Sequence, residues 1–295
     1  PSTMTAGAAL VALSALGYAT NPIFGKFAYA GGANAITLGA IRFTTAAVAL
    51  WAFLAVTGKL RGLAWAMRLQ LIALGGLGIA MVALLYFTAL EHIGASLATG
   101  LFYTYPAMVV AVGLFRGDGL SRTGAMGLML TLVGTWLLLG ADLGGFTWQG
   151  ALLILAAAVL YTAYIMVSDR LARGVSATVA SAHMTAGAAA VYLTLALVTG
   201  QRFPTGGQPY LAGMGLALCS TVIALITFFA GLPRVGPARA SIISTLEPVF
   251  TTLMAVLLLS ERLNMLQTFG LGLVVTGAVA AQVKERAAPV GVEQA

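Results

Sequence analysis

Long apolar stretches alternate with short breaks along the whole chain, and the breaks carry Gly, Pro or charged residues. Ten stretches approach the length of about 20 residues that a helix needs to cross a bilayer. They cover 5–29, 34–56, 69–90, 94–115, 123–140, 148–169, 176–198, 209–231, 236–259 and 265–283. A chain in lipid has to pair its backbone groups internally, so this pattern predicts ten transmembrane α-helices.

Composition excludes a soluble globular domain. Of 295 residues, 60% are hydrophobic and 8% are charged, whereas about 25% are charged in an ordinary soluble domain. The mean hydropathy is +0.98. The sequence therefore predicts an all-α polytopic membrane protein in which little length is left for a soluble domain.

The distribution of cations predicts the orientation. The 15 Lys and Arg outnumber the 8 Asp and Glu, and we attribute the excess to basic loops rather than to nucleic-acid binding. If the N-terminus is inside, 11 cations fall in cytoplasmic loops, 3 fall in outer loops and Arg42 falls within a span. Cytoplasmic loops are enriched in Lys and Arg, so both termini are predicted to be cytoplasmic.

The chain also matches itself at an offset of 142 to 143 residues. Gly94–Pro106 aligns with Gly236–Pro248, and Tyr18 aligns with Tyr161. Each repeat holds five spans, an odd number, so the second copy enters the membrane from the opposite side. Such inverted repeats are typical of secondary transporters, which bind substrate near the midplane between the halves. The predicted division is 1–143 for the first repeat, 144–286 for the second and 287–295 for a C-terminal tail.

The repeated segments resemble a known family. Gly94–Pro106, and in the second copy Leu246–Phe250 followed by Ser260–Leu263, are similar to the EamA-like branch of the drug/metabolite transporter superfamily. Asp118 occupies the acidic position of the first copy, where the family usually has Glu. Within this branch, the segment Asn21–Lys26 and the overall pattern resemble the YddG-type exporters of aromatic amino acids.

The resemblance implies an ATP-independent carrier with a central cavity, which exports aromatic or hydrophobic amino acids by alternating access, either secondary-active or facilitative. It implies a multi-pass protein of the bacterial inner membrane and not an enzyme. The expected partners are a small-molecule amino acid and the lipid bilayer, without nucleic acid, and we expect a monomer without a cofactor. The alternative is a multidrug or other small-metabolite exporter, although the deep carboxylate expected in its first span is missing here.

Other function classes have less support. A phosphate-binding Gly-x-x-x-x-Gly-Lys-[Ser/Thr] loop is missing from the sequence, which argues against ATP-driven transport. No group of His, Cys, Asp or Glu residues in the sequence has the spacing of metal ligands. An intramembrane enzyme would need paired carboxylates or a Ser with a His, and the chain has one deep Glu and two His in all.

Charged groups within the hydrocarbon cost about 2.5–3.5 kcal/mol on insertion scales, so each of them needs a reason. Arg42 lies about 12 Å into the second span, and Lys26 lies near the outer end of the first. Each of the two either meets a substrate carboxylate or snorkels to the headgroups. Glu247, near mid-span, either couples protons, accepts a substrate ammonium or bonds within the protein. His183 either relays protons or is a neutral interhelical hydrogen-bond partner.

Seven tyrosines lie inside the predicted spans rather than at their ends, and a buried hydroxyl needs a partner. They either pack helices together or line a cavity suited to an aromatic or thioether side chain. Pro106 and Pro248 cannot donate a backbone hydrogen bond, so they free the carbonyls of Phe102 and Ser244 to accept an ammonium, unless they form only packed kinks. We predict hinges at both prolines. The predicted substrate-binding residues are Tyr18, Lys26, Arg42, Tyr86, Tyr103, Tyr105, Tyr161, Tyr164, His183, Ser244 and Glu247.

Overall fold

A computed structural model describes residues 3–58, 63–89, 92–93, 95–117, 119, 121–140, 146–259 and 264–281, and every regular element in these ranges is helical. The first half contains α1 (Thr3–Tyr18), α2 (Asn21–Ala30), α3 (Ala35–Val56), α4 (Trp65–Ala73), a first π-helix (Leu74–Ala80), α5 (Met81–Ala89), α6 (Ala95–Phe102), α7 (Tyr105–Phe115) and α8 (Arg122–Leu139). The second half contains α9 (Trp148–Ala172), α10 (Ala177–Val198), α11 (Gly207–Gly215), a second π-helix (Leu216–Ile223), α12 (Ala224–Val235), α13 (Pro237–Ser244), α14 (Leu246–Leu259) and α15 (Met265–Ala280).

Eight helical stretches of the described chain are long and apolar enough to cross a membrane. They are Thr3–Ala30, Ala35–Val56, Trp65–Ala89, Leu97–Phe115, Arg122–Leu139, Trp148–Leu171, Ala177–Val198 and Gly207–Val235. These stretches coincide with the first eight predicted spans. The ninth predicted span holds α13 and α14, which are separated at Thr245, and the tenth holds α15, which has 16 residues. The all-helical polytopic architecture is confirmed, and the count of ten stays a prediction.

Several positions used in the sequence interpretation lie outside the described residues. They are Gly94, the acidic motif position Asp118, the segment 260–263 and the predicted tail 287–295.

Polar N-caps begin five of the described helices, and four of these caps form two pairs at matching positions. Asn34 caps α3 and Ser176 caps α10, at positions 142 residues apart, and Ser121 caps α8 and Asn264 caps α15, at positions 143 residues apart. In each case the side-chain oxygen accepts a hydrogen bond from a backbone N–H of the first turn. These bonds pair backbone N–H groups for which lipid offers no hydrogen-bond acceptor. The capping residues therefore determine where the helices begin.

Corresponding spans of the two halves pack on each other: α3 packs on α10, α8 packs on α15, and α7 of the fourth span packs on α13 of the ninth. Two glycine pairs bring α8 and α15 into backbone contact. A Cβ on Gly127 would lie 2.7 Å from the carbonyl oxygen of Gly277, and a Cβ on Gly134 would lie 2.7 Å from that of Gly270. Small residues at such crossings let membrane helices approach closely.

Breaks interrupt three of the helical stretches. α1 gives way to α2 at Ala19–Thr20, α6 to α7 at Tyr103–Thr104, and α13 to α14 at Thr245. The last two breaks lie 142 residues apart. Pro106 and Pro248 follow them within the first three residues of α7 and α14, where a missing N–H removes no intrahelical bond. The first break has no counterpart, because α9 continues through the equivalent positions.

The two π-helices also occupy matching positions, at 74–80 and 216–223. The first one packs closely on α10, since a Cβ on Gly75 would fall on the carbonyl of Met184. The second one packs against α3 and lies beside the break between α1 and α2. π-Helical turns are rare and recur at functional sites, so these two stretches indicate the region in which a functional site is expected.

Candidate functional site

The structure brings five of the predicted tyrosines into one group of rings, here called the aromatic cluster. Its members are Tyr86, Phe102, Tyr103, Tyr105, Tyr161, Tyr164, Phe228 and Phe229. Neighbouring ring centroids lie between 4.8 and 6.4 Å apart. Phe102 is the centre of the group, because it contacts four of the tyrosines.

The break between α6 and α7 explains how this cluster forms. Residues two apart on a regular helix point about 200° away from each other, yet the rings of Tyr103 and Tyr105 are 5.8 Å apart. Tyr161 and Tyr164 are three residues apart on α9 and share a face, so their rings stack at 5.7 Å. An edge contact of 4.8 Å between Tyr105 and Tyr161 joins the two helices.

The rings differ in accessibility, and this difference separates two roles. Tyr103, Tyr105 and Tyr164 are buried and support the cluster. Tyr86, Phe102 and Tyr161 are half-buried, and Tyr18 packs half-buried against the same core. Half-buried rings keep a face with which they can contact an apolar ligand.

Hydroxyl groups of the cluster are bonded to neighbouring helices. Tyr86 shares a hydrogen bond of 2.7 Å with the Thr99 hydroxyl on α6. The Tyr105 hydroxyl donates to the carbonyl of Ser241 on α13 at 3.5 Å. Ser244, the last residue of α13, is buried and also bonds Tyr105 through its side chain. The cluster therefore bridges the two halves of the chain at the two matching helix breaks.

Glu247 lies beside the cluster, in the first turn of α14 and just after the break at Thr245. It is half-buried, and its side chain lies close enough to the Tyr103 hydroxyl to interact with it. Arg42 and Tyr18 are close enough to act on it electrostatically. Within the described ranges its carboxyl group is not in ion-pair contact with Arg42. An acceptor is thus placed between aromatic rings on one side and a cation on the other.

Arg42 is held inside the bundle by the second π-helix. Its Nε donates to the Thr221 hydroxyl at 2.7 Å, and one terminal nitrogen donates to the Ser220 carbonyl at 3.0 Å. The Ser220 hydroxyl in turn bonds the Thr20 hydroxyl, at the break in the first stretch, at 2.8 Å. These bonds hold the guanidinium against the second π-helix, and its binding of a substrate carboxylate stays a prediction. Arginine carries more N–H donors than these two bonds use, so donors remain for a substrate carboxylate.

Two predicted residues lie apart from this group. Lys26 is exposed on α2. His183 is buried where α3 meets α10; its Nδ1 is 2.8 Å from the Val179 carbonyl of its own helix, and its ring lies 4.9 Å from the ring of Trp51. The structure does not bring Lys26 or His183 to the aromatic cluster.

Sequence reasoning considered only the carbonyl of Phe102 and missed its ring, and it also missed the polar triplet Thr20, Ser220 and Thr221. Phe102 precedes the Tyr-Thr-Tyr-Pro segment, and that position was the one available signal for it. The triplet carries no motif. Its importance follows from a π-helix and a helix break, which appear only in the backbone.

Comparisons with known proteins agree with this architecture. The model described as the EamA-like transporter family matches residues 5–140 and again 148–281. The uncharacterized transporter YcbK of Bacillus subtilis (strain 168) is 28% identical over 292 residues, covering 92% of this chain and 92% of that protein. The aromatic amino acid exporter YddG of Ancylobacter novellus is 31% identical over 177 residues, covering 58% of this chain and 61% of that protein.

The fold is also found in a solved structure, the crystal structure of a protein that is 24% identical. The two structures superimpose with a TM-score of 0.81, and the superposition covers 94% of this chain and 96% of the chain in the solved structure. The family and both named relatives are transporters, not enzymes. With two matches that together span most of its length, the chain belongs to the EamA-like transporter family.

Proposed function

We propose that this protein exports aromatic and other hydrophobic amino acids across a bacterial inner membrane, with both termini in the cytoplasm. The observation that carries the proposal is the aromatic cluster, which has a carboxyl group beside it and a guanidinium within electrostatic range of that carboxyl group. A zwitterionic amino acid needs a donor for its carboxylate, an acceptor for its ammonium and a pocket for its side chain. Arg42, Glu247 and the rings of the cluster are residues of these three kinds.

The three roles follow from the contacts. Arg42 keeps free donors and would bind the carboxylate, while Thr221 and the Ser220 carbonyl hold it in place. Glu247, together with the carbonyls freed at the breaks, would accept the ammonium. The half-buried faces of the cluster would take the side chain, and burying such a side chain is worth roughly 1.5–3 kcal/mol. The likeness to a relative named an aromatic amino acid exporter supports this choice of side chain.

Alternating access would come from two inverted repeats, 1–143 and 144–286. The family model matches twice, and the caps, breaks and π-helices recur at one offset. A pseudo-twofold axis in the membrane plane maps each span onto the span five places later, so the related spans that lie next to the axis pack on each other. The packing of α3 on α10, α7 on α13 and α8 on α15 has this form. Rocking about the aromatic cluster would then bend the chain near Pro106 and Pro248, either coupled to protons or as facilitated diffusion.

One observation favours a second candidate, a multidrug or other small-metabolite exporter. A carboxylate beside several aromatic faces is also the chemistry that binds an organic cation, and Glu247 is such a carboxylate. Arg42 opposes this candidate, because its charge acts on Glu247 and would repel a second cation. The zwitterion satisfies both charges, so we favour the amino acid.

A flux panel in proteoliposomes tests the proposal. Uptake of labelled Phe is competed with Trp, Tyr, Met, Ala, Asp and a quaternary ammonium compound. The aromatic residues and Met are expected to compete at least about tenfold better than Ala or Asp, which corresponds to ~1.4 kcal/mol of side-chain burial. Arg42→Gln should weaken competition by Phe but not by phenethylamine, which lacks the carboxylate. If Asp or the quaternary cation outcompetes Phe, the amino-acid proposal is wrong.

A further inference from the structure

A second polar region lies where α7 and α9 end, away from the rings of the aromatic cluster. It is a cavity of about 370 Å³ between the ends of α7, α9, α12 and α13, which is within the size range of small-ligand sites. Its charged lining consists of Arg116, Asp169, Arg170, Arg173 and Arg239. We call it the arginine cavity. In the proposed orientation it opens to the cytoplasm, the side from which an exporter takes its substrate.

Asp169 is the unusual member of this lining. It is 6% exposed, and its Oδ2 accepts a hydrogen bond of 2.7 Å from Arg173. Its Oδ1 is buried and has no hydrogen-bond partner in the described part of the chain. A buried acceptor that is left unpaired costs free energy. Because Asp169 also lines the cavity, a donor from a ligand bound there would satisfy this acceptor.

Helix stability does not explain this aspartate. Asp169 lies in the last turn of α9, where the helix dipole is negative and favours cations such as Arg170 rather than a carboxylate. The i,i+4 ion pair with Arg173 does not explain the carboxylate either. The Arg173 side chain is 67% exposed, and an ion pair with an exposed partner contributes little to stability. The carboxylate therefore carries a cost that a bound ligand would offset.

We infer that the arginine cavity is a loading site, which binds the α-ammonium and α-carboxylate of the amino acid before it reaches the aromatic cluster; this inference rests on the proposed function. The ammonium would donate to Asp169 Oδ1, and the carboxylate would accept from Arg239 with Arg116 or Arg170. A plain anion would pair with the arginines but would leave Oδ1 without a donor. A plain cation would pair with Oδ1 but would be repelled by the four arginines.

The route from this site to the aromatic cluster is short. Val109 and Met166 line the arginine cavity and belong at the same time to the buried core that contains Tyr105 and Tyr164. This apolar layer closes the cavity on its inner side and would accept the side chain of the amino acid. Opening the layer would pass the substrate inward, side chain first.

A cysteine reporter tests occupancy of the cavity directly. Ala238 lines it and is half-buried, so Ala238→Cys in a Cys219→Ser background gives one thiol whose alkylation rate is measured in phosphatidylcholine liposomes. Saturating Phe is expected to slow alkylation at least about tenfold, as for a site that is at least about 90% occupied. Phenethylamine and 3-phenylpropionate, which each keep one of the two charges, should protect weakly. Equal protection by 3-phenylpropionate would mean a general anion site and would overturn the inference.

Two matched variants, each of which neutralises one carboxyl group, separate this inference from the proposed function. Asp169→Asn should abolish protection by Phe, whereas Glu247→Gln should weaken Phe transport and leave the protection in place. Undiminished protection in Asp169→Asn overturns the loading site even if Phe is transported. If phosphatidylethanolamine liposomes slow alkylation without Phe, the occupant is a lipid headgroup and the inference is also wrong. The ligand series in the unchanged carboxyl background remains decisive if Asp169→Asn does not fold.

Discussion

Replacing Tyr161 with leucine removes one half-buried ring from the aromatic cluster and keeps an apolar side chain there. The ring centroid of Tyr161 lies 5.4 Å from Phe102, 4.8 Å from Tyr105 and 5.7 Å from Tyr164. An aromatic pair is worth about 0.5–1.5 kcal/mol beyond the area it buries. If the substrate ring rests on Tyr161, one such pair is lost, so the preference for Phe over Ala should fall by about 2- to 13-fold.

The assay is the ratio of kcat/KM for Phe and for Ala in proteoliposomes, with the melting temperature of each variant as a check on folding. Tyr161→Phe keeps the ring and should keep the ratio. Tyr192→Leu is the control: Tyr192 is a buried mid-helix tyrosine that stacks on Phe43 at 5.5 Å, outside the cluster. The reasoning is refuted if Tyr161→Leu leaves the ratio unchanged, or if Tyr192→Leu lowers it as much.

Three further predictions concern orientation, coupling and packing. In a chain freed of its native cysteine, cysteines at 59–68 should be shielded from outside reagents in intact cells and cysteines at 201–208 should react; the reverse pattern would contradict the cation count. If transport is proton-coupled, Glu247→Gln should abolish the response of Phe uptake to a pH gradient, and an unchanged response would limit Glu247 to a structural role. Gly134→Leu should lower the melting temperature, because its Cβ would lie 2.7 Å from a backbone oxygen and overpacking typically costs 1–3 kcal/mol. Gly272 faces open space, so Gly272→Leu should leave the melting temperature unchanged. An equal fall in melting temperature for both variants would refute the packing argument.

The sequence alone determined the helical class and the positions of most spans. The predicted stretch 34–56 is Ala35–Val56 in the structure, and 209–231 lies within Gly207–Val235. Such agreement has a physical cause: lipid offers the backbone no hydrogen bonds, so the length and hydropathy of a segment suffice to assign a helix. The 142-residue offset likewise located the matching breaks before any contact was known. The offset did not show that the first stretch breaks at Thr20 while α9 runs on. The sequence signal for that break is Asn21-Pro22, where α2 begins with a proline in its first turn, and α9 contains no proline.

Tertiary structure decided what the polar side chains do. For Arg42 the sequence left two interpretations open. The hydrogen bonds that position its guanidinium come from Thr221 and Ser220, which are 178 or more positions away along the chain. Asp169 is the last residue of a predicted span, and the sequence gives no reason to assign it a role. It is a candidate ligand-binding residue because, in the tertiary structure, helix ends enclose it and leave one of its carboxylate oxygens without a hydrogen-bond partner. Hydropathy and periodicity are local properties of the chain, whereas the partner of a buried polar group is set by which distant helices cross beside it.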